Sequence, residues 1–124
     1  MQQEVDVAVI GAGPAGLAAA IKAKEAGADK VVVFERAERL GGLLDQCVHN
    51  GFGLLYFNED LTGPQYRDRF IEKVNDLKVD TELESMVLDL SADHTMKVAS
   101  SKKAYFSLKP KAIVLAMGCR ERTR

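Results

Sequence analysis

Val7–Gly27 reads VAVIGAGPAGLAAAIKAKEAG, and this stretch decides the fold. Val5–Ile10 is a short apolar run rich in β-branched residues; Asp6 is its only charge, and it stops at Gly11. Such a run suits a strand buried on both faces of a parallel sheet. From Pro14 to Ala26 the good helix formers Ala, Leu and Lys dominate. Leu17, Ala20 and Ile21 share one face of that predicted helix, and Gly27 supplies a C-terminal stop. The next apolar run, KVVVFE (Lys30–Glu35), is too short for a helix and predicts a second buried strand. The opening is therefore a βαβ unit, whose crossover between parallel strands is almost always right-handed.

Between strand and helix stand Gly11, Gly13 and Gly16 in a GxGxxG arrangement. Glycine and alanine are common, so the pattern gains weight only from its place after a strand and at a helix start. Gly11 permits the tight turn, Gly13 lets the backbone approach a pyrophosphate, and Gly16 allows close packing of helix on strand. Pro14 lies in the first helical turn, where no backbone donor is needed, and Ala15 follows it. The pyrophosphate would rest on the positive end of the helix, where unpaired N–H groups await acceptors. Glu35 stands 19 residues beyond Gly16, the spacing at which an acidic side chain meets ribose hydroxyls. A carboxylate there also repels a 2′-phosphate, which disfavours NADP at this site, although Arg36 next to it weakens the exclusion. The competing reading is a glycine-rich turn with no ligand.

The 124 residues suit one domain, and 47% hydrophobic content is enough for a single core. With 17 basic and 18 acidic residues mixed along the chain, the formal net charge is -1, so there is no basic footprint for nucleic acid or an anionic membrane. The terminal CRERTR is short and contains a glutamate, a poor nucleic-acid tail. Glycines and Pro14 interrupt the apolar stretch Val7–Ile21, and no basic region precedes it, which argues against a signal peptide or a membrane span. Cys47 and Cys119 lie far apart without the spacing of a disulfide scaffold, pointing to a reducing, cytoplasmic compartment. Metal binding is unexpected, because Cys47, His49, His94 and Cys119 form no ligand-pair pattern.

Further along, ERLGGLLDQCVHNGFG carries four glycines in 16 residues without a sustained period and reads as a functional loop with one helical turn. In LTGPQYRDRFIEKVNDL, Thr62 is a candidate cap with Pro64 behind it, and Tyr66, Phe70, Ile71 and Val74 recur at helical spacing. From Val79 the pattern changes to short runs, VDTEL, SMVLDLS, MKVAS and AYFSL, separated by polar breaks such as ADHT and SKK. These predict a short parallel strand and then a small antiparallel β-meander. His94 falls in one of the turns, in solvent. KAIVLAMG closes the series as a last buried strand, Ala112–Ala116, ending on Gly118. The fold class is α/β: a Rossmann-like parallel sheet with flanking helices and a small antiparallel meander.

Gly41–Gly42 follow Glu35 closely, and VFERAERLGG resembles the extended FAD fingerprint of the two-dinucleotide-domain flavoproteins, the pyridine nucleotide-disulfide oxidoreductase superfamily. KPKAIVLAMG resembles that family's second FAD motif, with Met117 where a threonine is usual; Ala116 and Gly118 keep the close backbone approach. The resemblance spans essentially all 124 residues. It implies FAD as cofactor, the double glycine near the flavin side, and a backbone role in adenine recognition for Val87, which an ordinary alternating strand explains equally well. It also implies NAD or NADP as the partner nucleotide of a longer protein, because family members continue past this motif into a nicotinamide domain. On that reading residues 1–124 are the N-terminal portion of an FAD domain, and the piece alone is inactive.

Disulfide reductases of the family carry paired cysteines, but GGLLDQCVHNGFG holds only Cys47, so a dithiol of CxxC type is unsupported here. The wording of this loop and of AMGCRERTR is closest to bacterial flavin oxidoreductases that accompany anaerobic glycerol-3-phosphate dehydrogenases, which implies a dehydrogenase partner subunit. Amine and opine dehydrogenase subunits are more distant. Cys47 and His49 are the candidates for redox tuning or proton transfer at the flavin. Against that stand a buried small hydrophobe for Cys47 and a loop hydrogen-bonder for His49. The alternative to an oxidoreductase is a non-catalytic module or subunit binding ADP or NAD.

Overall fold

The computed structural model describes residues 4–47 and 49–118. Its elements run β1 (Val7–Ile10), α1 (Pro14–Glu25), β2 (Val31–Phe34), a 3₁₀ turn (Gly42–Gln46), α2 (Gly63–Asp76), β3 (Asp80–Glu82), β4 (Ser85–Leu90), β5 (Met96–Ser100), β6 (Ala104–Leu108) and β7 (Ala112–Leu115). β1, β2, β3 and β7 form a parallel sheet in the order β3-β2-β1-β7, and β4, β5 and β6 form a separate antiparallel sheet. The short parallel strand and the meander expected after Val79 are both present.

The alternation within β1 and β2 explains why their sequences are apolar without a break. Val9, Val31 and Val33 face α1 and α2, joining Leu17, Ile21, Phe70 and Val74 in one core. Ala8, Ile10, Val32 and Phe34 face the meander and join Met96 and Val98 in a second. Strands with a core on each side have no polar face. The result is three layers: helices, parallel sheet, antiparallel sheet.

The helix ends follow the sequence closely. Pro14 occupies the first turn of α1, and beyond its cap Ala26, Gly27 takes φ +111°, a conformation costly for any residue with a Cβ. α2 starts on a capping box: Gln65 N–H donates to Thr62 Oγ1 at 3.3 Å, and Thr62 N–H donates to Gln65 Oε1 at 2.9 Å. Thr62 was legible as a cap, whereas the reciprocal bond from its own N–H to the Gln65 side chain was not.

One expectation needs correction. β7 forms and pairs in parallel with β1, but it is not buried: Leu115 is 57% exposed, Ala112 is exposed, and Ile113 and Val114 are half-buried. β7 sits at the edge of the sheet, so only one flank is covered among the described residues. Asp6 and Lys111 tie this edge to its neighbours. Asp6 Oδ2 accepts from Lys30 N–H at 2.9 Å, and Asp6 Oδ1 pairs with Lys111 Nζ at 3.1 Å. The Lys30 N–H, and then the Lys111 ammonium, hold the Asp6 carboxyl below its ordinary range, and Asp6 in turn raises Lys111.

Candidate functional site

In a parallel sheet all strands end on the same side, and ligands bind beyond their carboxyl ends. Here the ends of β1, β2 and β7 bring together Gly11, Glu35 and Gly118, residues far apart in sequence.

Gly11 takes φ +107°, and a Cβ on it would lie 2.1 Å from the Ala116 carbonyl oxygen. The turn after β1 is thus pressed directly on the chain leaving β7. Gly16 is tighter still: a Cβ there would lie 1.9 Å from the Gly11 oxygen. These two glycines serve the packing of protein on protein. Gly13 is different, because a Cβ there would meet nothing within 4 Å. It is the N-cap of α1, with no side-chain cap bond and no acidic residue in the first turn. The first turn, Pro14, Ala15 and Gly16, therefore presents its positive end and backbone donors without a competing side-chain acceptor. This open, uncapped helix start is the feature that fits a pyrophosphate.

Glu35 follows β2 and is half-buried. Its Oε1 accepts from Ala12 N–H at 2.9 Å and its Oε2 from Ala37 N–H at 2.8 Å. A pocket of about 340 Å³ adjoins it, lined by Gly11, Glu35, Arg36, Val87, Met117 and Gly118 together with Ile10, Phe34, Ser85 and Met86. Val87 belongs to β4 beside a register shift, and Arg36 and Gly118 are exposed at the rim. A recess with one carboxylate, apolar walls and exposed backbone suits an adenosine.

Gly41 and Gly42 lie on the other side of the glycine loop. Gly41 N–H donates to the Ala12 carbonyl at 2.7 Å, and a Cβ on Gly42 would lie 3.1 Å from the Cα of Gly13. The double glycine thus packs against the glycine loop at Ala12 and Gly13, outside the lining of the pocket beside Glu35. A Cβ on Gly41 would meet the Arg67 side chain at 2.4 Å, so Arg67 of α2 packs over this glycine. Reading the sequence missed Ala12, whose N–H and C=O serve Glu35 and Gly41, and also missed Arg67 and the pocket walls Ile10, Phe34 and Ser85. None carries a composition or spacing signal.

Cys47 and His49 are not part of this pocket. Cys47 is half-buried rather than buried, because it follows the 3₁₀ turn at the surface, where its Sγ donates to Leu43 O at 3.3 Å. His49 Nδ1 lies 3.0 Å from Asn50 O, and its ring stacks on Phe52 at 5.1 Å. Beneath lie Phe57, Tyr66 and Phe70; burial there, with Tyr56 adding to it, pushes the Tyr66 phenol up. His94 is exposed in the β4–β5 turn as read, with Nδ1 3.2 Å from the Lys111 carbonyl. Cys119 and the terminal CRERTR lie outside the described residues.

A larger recess of about 540 Å³ lies between the two sheets, lined by Val5, Val32, Phe34 and Phe106. Its charged groups are already matched, Lys30 with Asp80 and Lys103 with Glu82. It also lacks a helix N-terminus, so we place the site in the smaller pocket. Among the described residues no helix is long and apolar enough to cross a membrane, and no three His, Cys, Asp or Glu side chains group as a metal site.

The sequence model of the pyridine nucleotide-disulphide oxidoreductases matches residues 5–124. The chain belongs to this family. Its proteins are FAD-dependent oxidoreductases that work with pyridine nucleotides. The chain is 31% identical over 124 residues to thioredoxin reductase of Peptoclostridium acidaminophilum, covering 98% of this chain and 37% of that relative. It is 28% identical over 121 residues to a hydrogen cyanide synthase subunit of Pseudomonas protegens, covering 93% and 24%. Among solved structures, L-proline dehydrogenase from P. horikoshii superposes with a TM-score of 0.82 at 27% identity, over 99% of this chain and 24% of that one. The chain thus spans well under half the length of these relatives.

Proposed function

We propose that this chain holds the adenosine and pyrophosphate part of FAD in an oxidoreductase that moves electrons between NAD(P)H and the flavin. The observation that carries the reading is the open, uncapped start of α1 at Gly13 beside the pocket of Glu35. Gly13, Pro14, Ala15 and Gly16 would hold the pyrophosphate, with Gly41 and Gly42 against it on the flavin side. Glu35 would accept from the ribose hydroxyls, and the backbone near Val87, Ala116 and Gly118 would border the adenosine. When bound, FAD supplies the hydride and electron-transfer chemistry, while the protein orients it and excludes water.

The loop from Gly41 to Gly53 contains one cysteine, Cys47, which supports a flavin that passes its electrons to something other than an adjacent dithiol. Cys47 and His49, on the double-glycine side, are proposed to face the flavin ring in the assembled enzyme. The wording of that loop further supports a protein that accompanies an anaerobic glycerol-3-phosphate dehydrogenase, with that dehydrogenase as partner subunit. The nicotinamide site and the activity belong to a longer protein of the relatives' length. The test is the visible absorbance of the purified full-length protein and the FAD it releases on denaturation. A colourless protein that FAD does not reconstitute would overturn the proposal. Calorimetry with FAD, NAD and ADP separates it from a non-catalytic module, which would bind ADP or NAD without preference for FAD.

A further inference from the structure

The Glu35 carboxylate is engaged before any ribose arrives. One oxygen accepts from the N–H of Ala12, inside the glycine loop, and the other from the N–H of Ala37, in the turn after β2. The backbone around it is fixed as well: Gly11 N–H donates to Phe34 O at 2.8 Å, Glu35 N–H donates to Glu82 O at 2.9 Å, and Ser85 N–H donates to Glu35 O at 2.9 Å. Ala12 is wholly buried, and its carbonyl accepts from Gly41 N–H at 2.7 Å. Through Ala12, the carboxylate reaches both sides of the phosphate cradle.

We propose that Glu35 is a positioning residue: its carboxylate clamps the glycine loop to the end of β2 and so preforms the pyrophosphate cradle, independently of any contact with ribose. The inference rests on the reading that a nucleotide binds at this loop, and it deepens the role of Glu35 there. Ionised carboxylate oxygens have about four acceptor sites between them, so the two clamp bonds leave room for ribose hydroxyls. Hydrogen bonds to a charged acceptor are the strong ones, and a buried donor deprived of its acceptor destabilises the conformation that buries it. Glutamine cannot replace the clamp, because its amide has a single acceptor oxygen and a donor group that would confront an N–H.

The experiment compares wild type with Glu35→Gln, and with Glu35→Ala as a second variant. Amide hydrogen exchange of the free protein is read at Ala12, with Val9 and Val33 as reporters of the intact sheet. The clamp requires exchange at Ala12 to quicken about tenfold or more in Glu35→Ala, which leaves no acceptor, and at Ala12 or Ala37 in Glu35→Gln, while the reporters stay protected; unchanged protection at Ala12 in Glu35→Ala overturns it. Calorimetry then uses ADP and its 2′,3′-dideoxy analogue. If Glu35 acts through the loop, substitution weakens the dideoxy analogue as well as ADP, by about tenfold or more. If the loss is confined to ADP, Glu35 acts only on ribose and the clamp is overturned. Should wild type bind neither ligand, the nucleotide reading falls while the exchange at Ala12 still decides the clamp.

Discussion

Gly13 and Gly16 stand three residues apart, and their substitutions have opposite consequences. A Cβ on Gly16 would lie 1.9 Å from a backbone oxygen, so Gly16→Ala must push α1 away from β1. We expect it to cost about 3 kcal/mol or more, read as a lower midpoint in urea. A Cβ on Gly13 would meet nothing within 4 Å among the described residues. Gly13→Ala should cost no more than about 1 kcal/mol, the loss of a fair N-cap, yet weaken ADP binding about tenfold or more by filling the approach to the helix start. The packing role of Gly16 was legible in the sequence, because GxGxxG assigns that position the close contact of helix on strand, whereas the phosphate role of Gly13 is what the ADP titration tests. The bonds of Ala12 were not legible: its N–H is claimed from residue 35 and its C=O from residue 41, and only the folded chain shows which donors and acceptors meet. Cys47 misled for a related reason, since a small apolar side chain is buried only if something lies over it.

At the level of elements, periodicity revealed α1, α2 and the meander because each has one face to bury, whereas β1 and β2, buried on both faces, were legible as unbroken apolar runs. Phe70 is the centre of that face in α2, 1% exposed and in ring contact with Tyr56, Phe57 and Tyr66. Phe70→Ala should cost about 3–5 kcal/mol, and Thr62→Ala about 1 kcal/mol through loss of the capping box; thermal unfolding of both variants checks the order. β7 shows what periodicity leaves out: an apolar run looks the same at the centre of a sheet and at its edge. The Asp6 pairs that fasten this edge give a pH signature. Because the folded carboxyl is lowered, its contribution is present above the ordinary value of 3.8 and is lost as pH falls through the lowered folded value. Asp6→Asn should therefore lower the Tm at neutral pH, and its difference from wild type should close in acid below pH 3.8. A difference that stays constant in acid would assign the effect to something other than the charge.

Over the whole molecule, the chain separates a scaffold from surfaces that the scaffold does not use. Cores lie on both faces of the parallel sheet, whereas Leu54, Leu55 and Tyr56 stand exposed in the loop before α2, Leu55 at 99%. Leu55→Ser should change stability by less than about 0.5 kcal/mol, in contrast to the core positions. The chain spans well under half the length of the relatives it matches, and among the described residues the proposed site groups one carboxylate, apolar walls and exposed backbone. The dinucleotide reading rests on the glycines and Glu35, and the reading of FAD on the resemblance of the double glycine and the AMG ending to the family's motifs. The substrate was not legible, because a fold and a phosphate cradle serve many chemistries. The most direct test of the central claim is calorimetric titration of this chain and its Gly13→Ala variant with ADP. The account requires saturable 1:1 binding to wild type and a loss of about tenfold or more in the variant at little-changed Tm; no binding to wild type, or equal binding to both, would contradict it.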